Sequence, residues 1–149
     1  MFLRFLLRNT NLTTQFLNPP ELGKTFGWTQ VTTSVGGKTI YLSGQTSVNA
    51  SGGVVGKGDL KAQAIQTFEN VKTALAAAGA TVHDMVKMNI YVVGLKPDQV
   101  PIIREIRARY VSPDKPPAST FVGVPALVNA DWLIEIDGIA VVADQGEAP

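Results

Sequence analysis

Apolar and polar positions change period several times along the chain, and each change marks a new element. In "TQVTTSVGGKTIYLSGQ" (Thr29 to Gln45), two runs rich in β-branched residues flank Gly36-Gly37. A glycine pair suits the positive dihedrals of a tight turn, so the stretch predicts two strands joined as a hairpin. "NASGGVVGKG" (Asn49 to Gly58) is rich in glycine but lacks the lysine-and-hydroxyl ending of a phosphate-binding loop, and reads as a turn. Beyond it, Asp59 can cap a helix whose apolar positions fall at Ala64, Ile65, Phe68, Val71, Leu75 and Ala78, with Gly79 as its stop. "VKMNIYVV" then alternates as a strand with Val86, Met88, Ile90 and Val92 on one side. A second helix is predicted from Asp98 to Tyr110, with Ile102, Ile103, Ile106 and Tyr110 inward and Arg104, Glu105, Arg107 and Arg109 largely outward. Pro113, Pro116 and Pro117 end it, and "STFVGV" and "WLIEIDGIAVV" supply the last strands.

The predicted order is β-β-α-β-α-β-β, and two helices can cover only one face of such a sheet. The last strand is apolar on both faces near its end, with Ala140 and Val142 on one and Ile139 and Val141 on the other. A half-apolar face without a helical cover is a candidate surface for self-association.

The same strand poses a chemical question. Glu135 and Asp137 share one face, about 7 Å apart at two strand residues. Burying a carboxylate without a partner costs several kcal/mol. Either that face meets water, a cation or a ligand, or the segment is not a strand.

Composition narrows the chemistry. At 149 residues the chain suits one domain, and a formal net charge of +1 gives no sign of a polyanion partner. There is no cysteine, which excludes a thiol nucleophile, a cysteine-ligated metal and a disulfide framework. His83 is the single histidine, so one chain cannot build a multi-histidine metal site. The opening "MFLRFLLRNTNLTTQFLNPP" carries two arginines and no acid, and its apolar runs are too short for a membrane span or a secretory core. Residues 1–17 read as an extension ahead of a single domain at 18–149. The expected location is cytoplasmic. A mitochondrial presequence is the alternative, and the scarcity of serine argues against it.

Three pieces together resemble the reactive intermediate deaminases, the RidA or YjgF family: "IYLSGQTSVN" (Ile40 to Asn49), "AQAIQTFENVKTALAAAGATVHDMVKMNIYV" (Ala62 to Val92), and "PPASTFVGV" with "IEIDGIAVV". The likeness runs from Asn18 to Val142. It implies a chorismate-mutase-like α/β (α+β) fold and a homotrimer with clefts between subunits. It also implies hydrolysis of imines and enamines without metal or cofactor. By this resemblance Glu135 handles the hydrolytic water, and Ser43 and Gly44 form the Ser-Gly turn of the cleft. Where the family carries the arginine that grips the substrate carboxylate, this chain has Ser119. Where the family has a small residue two places later this chain has Phe121, its N-terminal tyrosine aligns with Trp28, and the asparagine of the second helix lands near Ile103. With guanidinium, phenol and amide replaced, the expected ligand is less anionic and more apolar or aromatic.

Set against blander readings, Glu135 keeps the best functional case: a carboxyl in a cleft with a raised pKa suits proton transfer with water. Asp137 reads as structural, bonded to backbone or to a neighbouring Lys or Arg. Ser43 and Gly44 shape the cleft, because no base is evident for a serine nucleophile. Ser119 and Thr120 are candidate hydrogen-bonding groups, Trp28 is core or cleft wall, and His83 is an exposed turn residue. An RNA-cleaving role attributed to parts of the family finds no histidine pair or basic stripe here. The expected partners are a small metabolite and further copies of the chain, with no nucleic acid or membrane. The alternative to a deaminase is a non-catalytic metabolite-binding or regulatory trimer.

Overall fold

Six strands and two helices follow one another through residues 11–144, the part of the chain described by this computed structural model. Strands β1 (Thr13–Leu17), β2 (Val31–Val35) and β3 (Lys38–Gln45) precede helix α1 (Leu60–Ala77). Strand β4 (Met85–Val93), helix α2 (Val100–Ala108), and strands β5 (Ala118–Val124) and β6 (Ile134–Val142) complete the order. Residues 1–10 of the expected extension lie outside the described part, and its remainder contains β1.

The main sheet runs β3-β6-β4-β5, with β4 and β5 parallel and β6 antiparallel to both of its neighbours. Strand β6 therefore lies inside the sheet, which accounts for its apolar ends. Gly36 and Gly37 both take φ of +76°, as the turn requires. The strands they join do not pair with each other, however. Strand β2 pairs antiparallel with β1, opposing Thr32 to Phe16, while β3 joins β6. The reason lies in what holds β2. Just ahead of it, Thr29 N–H donates to Pro117 C=O at 3.1 Å beside the start of β5. Thr32 Oγ1 donates to Val86 C=O at 2.8 Å at the start of β4. The ribbon thus meets the main sheet at the start of β4 and, through a bridge from Thr29 to Ala118, at the first residue of edge strand β5.

Helix α1 begins as its sequence requires: the Asp59 carboxylate accepts from Ala62 N–H at 3.0 Å. Its Ala64, Phe68, Val71 and Leu75 are buried against Met88, Ile90 and Val92 of β4 and Ile134 and Ile136 of β6. Helix α2 adds Ile103 and Ile106, and Tyr110 just beyond it stacks on Phe68 with ring centroids 4.8 Å apart. Ile102, expected inward, is 38% exposed. Burial of these side chains against one face of the sheet, at roughly 25 cal/mol per Å² of apolar surface, is the main source of the fold's stability.

Polar residues of α1 fasten the loops that feed the sheet. Fully buried Gln63 donates to Gly56 C=O at 3.2 Å and Asp131 C=O at 2.8 Å, and its oxygen accepts from Leu133 N–H at 2.8 Å. Asn70 donates to Thr46 and Val48 C=O, both at 2.8 Å. These contacts set where β6 begins and where β3 leaves the sheet. The face opposite the helices carries Lys87, Asn89, Tyr91, Glu135 and Asp137 in register.

Candidate active site

Glu135 stands in the middle of that second face, directly across from Tyr91 on β4. On its other side, the β3–β6 ladder is irregular between Leu42 and Gln45, so Ser43 and Gly44 fall in a local bulge. The bulge brings the backbone up to the carboxylate. A Cβ placed on Gly44 would lie 1.8 Å from Glu135 Oε1. The Ser-Gly turn and the glutamate, 91 positions apart in sequence (135 − 44), are thus immediate neighbours.

Glu135 is half-buried, and burial pushes its carboxyl above the ordinary carboxylate range, with Asp137 adding repulsion in the same direction. Tyr91 is also raised, by burial first, then by Asp137 and Glu135. Asp137 has a different role. Its Oδ1 accepts from Asn89 Nδ2 at 2.6 Å across the β4–β6 ladder. The two carboxylates are thus held differently. Asp137 is paired to an amide, whereas Glu135 keeps its oxygens for whatever approaches this face.

Ser119 and Phe121 lie on the other side of the sheet. They pair in register with Met88 and Ile90, whose side chains face the helices. Together with Trp28, Arg104 and Arg107 they line a pocket of about 290 Å³. Trp28 is brought there because Thr29 is tied to Pro116 and Pro117 ahead of β5. Thr120, between Ser119 and Phe121, faces the opposite way and accepts from Lys87 Nζ at 2.9 Å. The predicted site residues therefore form two groups within one chain. Ser43, Gly44, Thr120 and Glu135 belong to the helix-free face, and Trp28, Ser119 and Phe121 to the helix face.

The structure corrects one reading of α2. Ile103, expected inward and lying near the position of the family's cleft asparagine, is fully buried in the core. Arg107, assigned to the solvated face, is only 5% exposed, while Arg104 does face solvent and sits 5.9 Å from the Trp28 ring centroid. A pocket depleted of guanidinium is accordingly not what forms. The helical spacing of Arg104 and Arg107, three residues apart, was the available signal that both could face one place. Among the described residues no three His, Cys, Asp or Glu side chains cluster as metal ligands would.

Residues 22–142 match the family described as Endoribonuclease L-PSP. A RutC family protein of Pyrococcus horikoshii is 35% identical over 104 residues, spanning 70% of this chain and 79% of that protein. A protein of Dermatophagoides farinae named 2-iminobutanoate/2-iminopropanoate deaminase is 33% identical over 106 residues, 71% of this chain and 80% of its own length. The chain belongs to the RidA/YjgF family. A crystal structure of a conserved Rid-family protein of unknown function from Yersinia pestis superposes with a TM-score of 0.80 at 35% identity, covering 87% of this chain and 98% of its own. The RidA fold expected from the sequence is thus the fold observed. Among the described residues, no helix is long and apolar enough to cross a membrane.

Proposed function

We propose that the protein is a homotrimeric hydrolase that removes ammonia from a small imine or enamine in clefts between subunits, with Glu135 activating water. The observation that carries this reading is the setting of Glu135. It is a half-buried carboxyl with a raised pKa, on the face the helices leave free, and it is kept accessible by a glycine. A carboxyl whose pKa is raised is a better base toward water than an ordinary carboxylate, and its protonated form can return the proton. The deaminase name of the mite relative agrees with such chemistry.

In the proposed reaction, Glu135 takes a proton from water as the oxygen adds to the imine carbon. The protonated carboxyl returns that proton to nitrogen, giving a carbinolamine. Glu135 then takes the hydroxyl proton and passes it to the amino nitrogen as the carbon–nitrogen bond breaks, so that ammonia leaves and a carbonyl remains. An enamine first gains a proton at carbon to become the imine. Every atom comes from substrate and water.

The division of the site supports an assembly of copies. The pocket at Ser119 and the carboxylate of Glu135 lie on opposite faces of one sheet, so one chain cannot close both around a small molecule. A neighbouring copy covering the helix-free face would complete the cleft. Ammonia release from imines generated in situ tests the chemistry. Release by wild type that is lost in Glu135→Gln supports the reading. Binding of small metabolites without ammonia release would instead make the protein a ligand-binding trimer.

A further inference from the structure

Tyr91 stands on the strand next to Glu135, directly opposite it in the β4–β6 register, and both side chains lie on the helix-free face. Residues paired in this way have Cβ atoms about 4.5–5.5 Å apart, close enough for an aromatic ring to wall in a carboxyl. Gly44 confines the same carboxyl from the β3 side, where a Cβ would come within 1.8 Å of Glu135 Oε1. Glu135 is thus half-buried between a strand backbone and a phenol.

The phenol is itself constrained. Burial first, then the Asp137 charge and a hydrogen bond to that carboxylate, keep the Tyr91 hydroxyl protonated. Asp137, next to Glu135 on this face of β6, is in turn bonded to Asn89 Nδ2 at 2.6 Å. A hydroxyl has one proton to donate and two lone pairs with which to accept. With its proton committed to Asp137, the Tyr91 oxygen can only accept from whatever approaches Glu135. An ionised carboxyl is likewise an acceptor alone. Two acceptors side by side on a free face match a molecule with two donors, and water is the smallest. Held by both hydrogens, such a water turns a lone pair away from the sheet.

We propose that Tyr91 is a further catalytic residue: its oxygen and the Glu135 carboxylate each accept one hydrogen of the hydrolytic water, which aims the water's lone pair at the imine carbon. The assignment rests on the deaminase reading. Glu135 removes the hydrogen it holds as the water oxygen forms its bond to carbon. The second hydrogen stays on that oxygen, bonded to Tyr91, as the hydroxyl of the carbinolamine until Glu135 takes it in the next step. Tyr91 neither gains nor loses a proton. Asp137 and Asn89 act through the phenol, as positioning residues that keep its proton turned away from the water.

Tyr91→Phe keeps the ring and deletes the acceptor. Its kcat for ammonia release should fall about three- to tenfold, the worth of one neutral hydrogen bond, with KM changed by less than about twofold. Tyr110→Phe is the control, because that hydroxyl donates to Glu69 at 2.9 Å on the helix side of the sheet, and its loss should leave kcat alone. A crystal structure of the wild-type protein should show one water within hydrogen-bonding distance of both Glu135 and the Tyr91 oxygen, and Tyr91→Phe should lose it. Full kcat in Tyr91→Phe, a fall no larger than that in Tyr110→Phe, or absence of the bridging water overturns the proposal. Should Tyr91→Phe fail to fold, Asp137→Asn takes its place. Its amide can donate to the phenol, so the phenol's proton turns toward the water and kcat must fall by a similar factor. An unchanged kcat there is equally fatal. Release by wild type that needs Glu135 but not Tyr91 removes only the role of Tyr91. No release from any imine removes the deaminase reading, and this role with it.

Discussion

Gly44 and Glu135 compete for the same space: a Cβ on Gly44 would sit 1.8 Å from Glu135 Oε1 and 2.8 Å from its Cδ. The backbone of Gly44 does not need the left-handed region, since it is absent from the glycines with positive φ. Glycine is required here for room. The bulge in β3 and the missing side chain together let the carboxylate lie against the strand while keeping access to the open face.

Gly44→Ala should therefore damage chemistry more than folding. The obstructed group is the end of a flexible side chain, so the expected loss of stability is about 1 kcal/mol or less. The carboxylate must move by an ångström or more, and misplacement of that size costs on the order of a hundredfold in rate. Ammonia release should show the loss in kcat, and thermal melting should show little change. A large fall in melting temperature would mean that the strand, rather than the side chain, gives way.

The pH dependence of Glu135 has a definite sign. Its folded pKa is raised, so the folded state holds its proton to higher pH than the unfolded state does. Stability contributed by this group is consequently greatest at low pH and falls as pH rises from the unfolded pKa through the folded one. Glu135→Gln should be at least as stable as wild type at neutral pH, with that advantage vanishing below the ordinary carboxylate range. Activity should rise with pH through the same raised pKa, because the base must be ionised. Melting curves and kcat/KM across pH 4 to 8, roughly the span over which a raised carboxyl titrates, check both limbs.

Asp137 should behave differently because it is bonded to Asn89 at 2.6 Å. Asp137→Ala removes a charge-assisted bond on a half-buried face and should lower stability by about 1–2 kcal/mol. Asn89→Ala should have a similar effect, and the double variant should cost less than the sum of the two singles. Chemical denaturation measures the cycle. Strict additivity would mean that the contact contributes nothing.

Self-association can be read directly from mass in solution at micromolar concentration. Three copies are expected. Tyr41, 80% exposed, and Val122, 38% exposed, belong to strands flanking the helix-free face and should become protected in the assembly. Tyr41→Asp should weaken the trimer without unfolding the chain. A folded monomer for wild type would remove both the trimer and the shared cleft.

Local periodicity was enough to place α1 with its Asp59 cap, to predict β4 and β6, and to put Glu135 and Asp137 on one face, because those properties depend on neighbours a few residues away. The quoted motifs pointed to the family for the same reason: short runs carry it. What the sequence left open were relations across strands and layers. Gly36-Gly37 marks a turn, but only hydrogen bonds from Thr29 and Thr32 to distant segments decide that β2 pairs with β1. Alternation separates Ser119 from Thr120, yet only the register with Met88 shows which of them faces the helices. Arg107 resembles any arginine on a polar helix face until the loop at Phe26 to Trp28 folds over it, and that loop lies about 80 residues earlier in the chain. Side-chain burial is set by packing between segments far apart in sequence, and no local pattern encodes it.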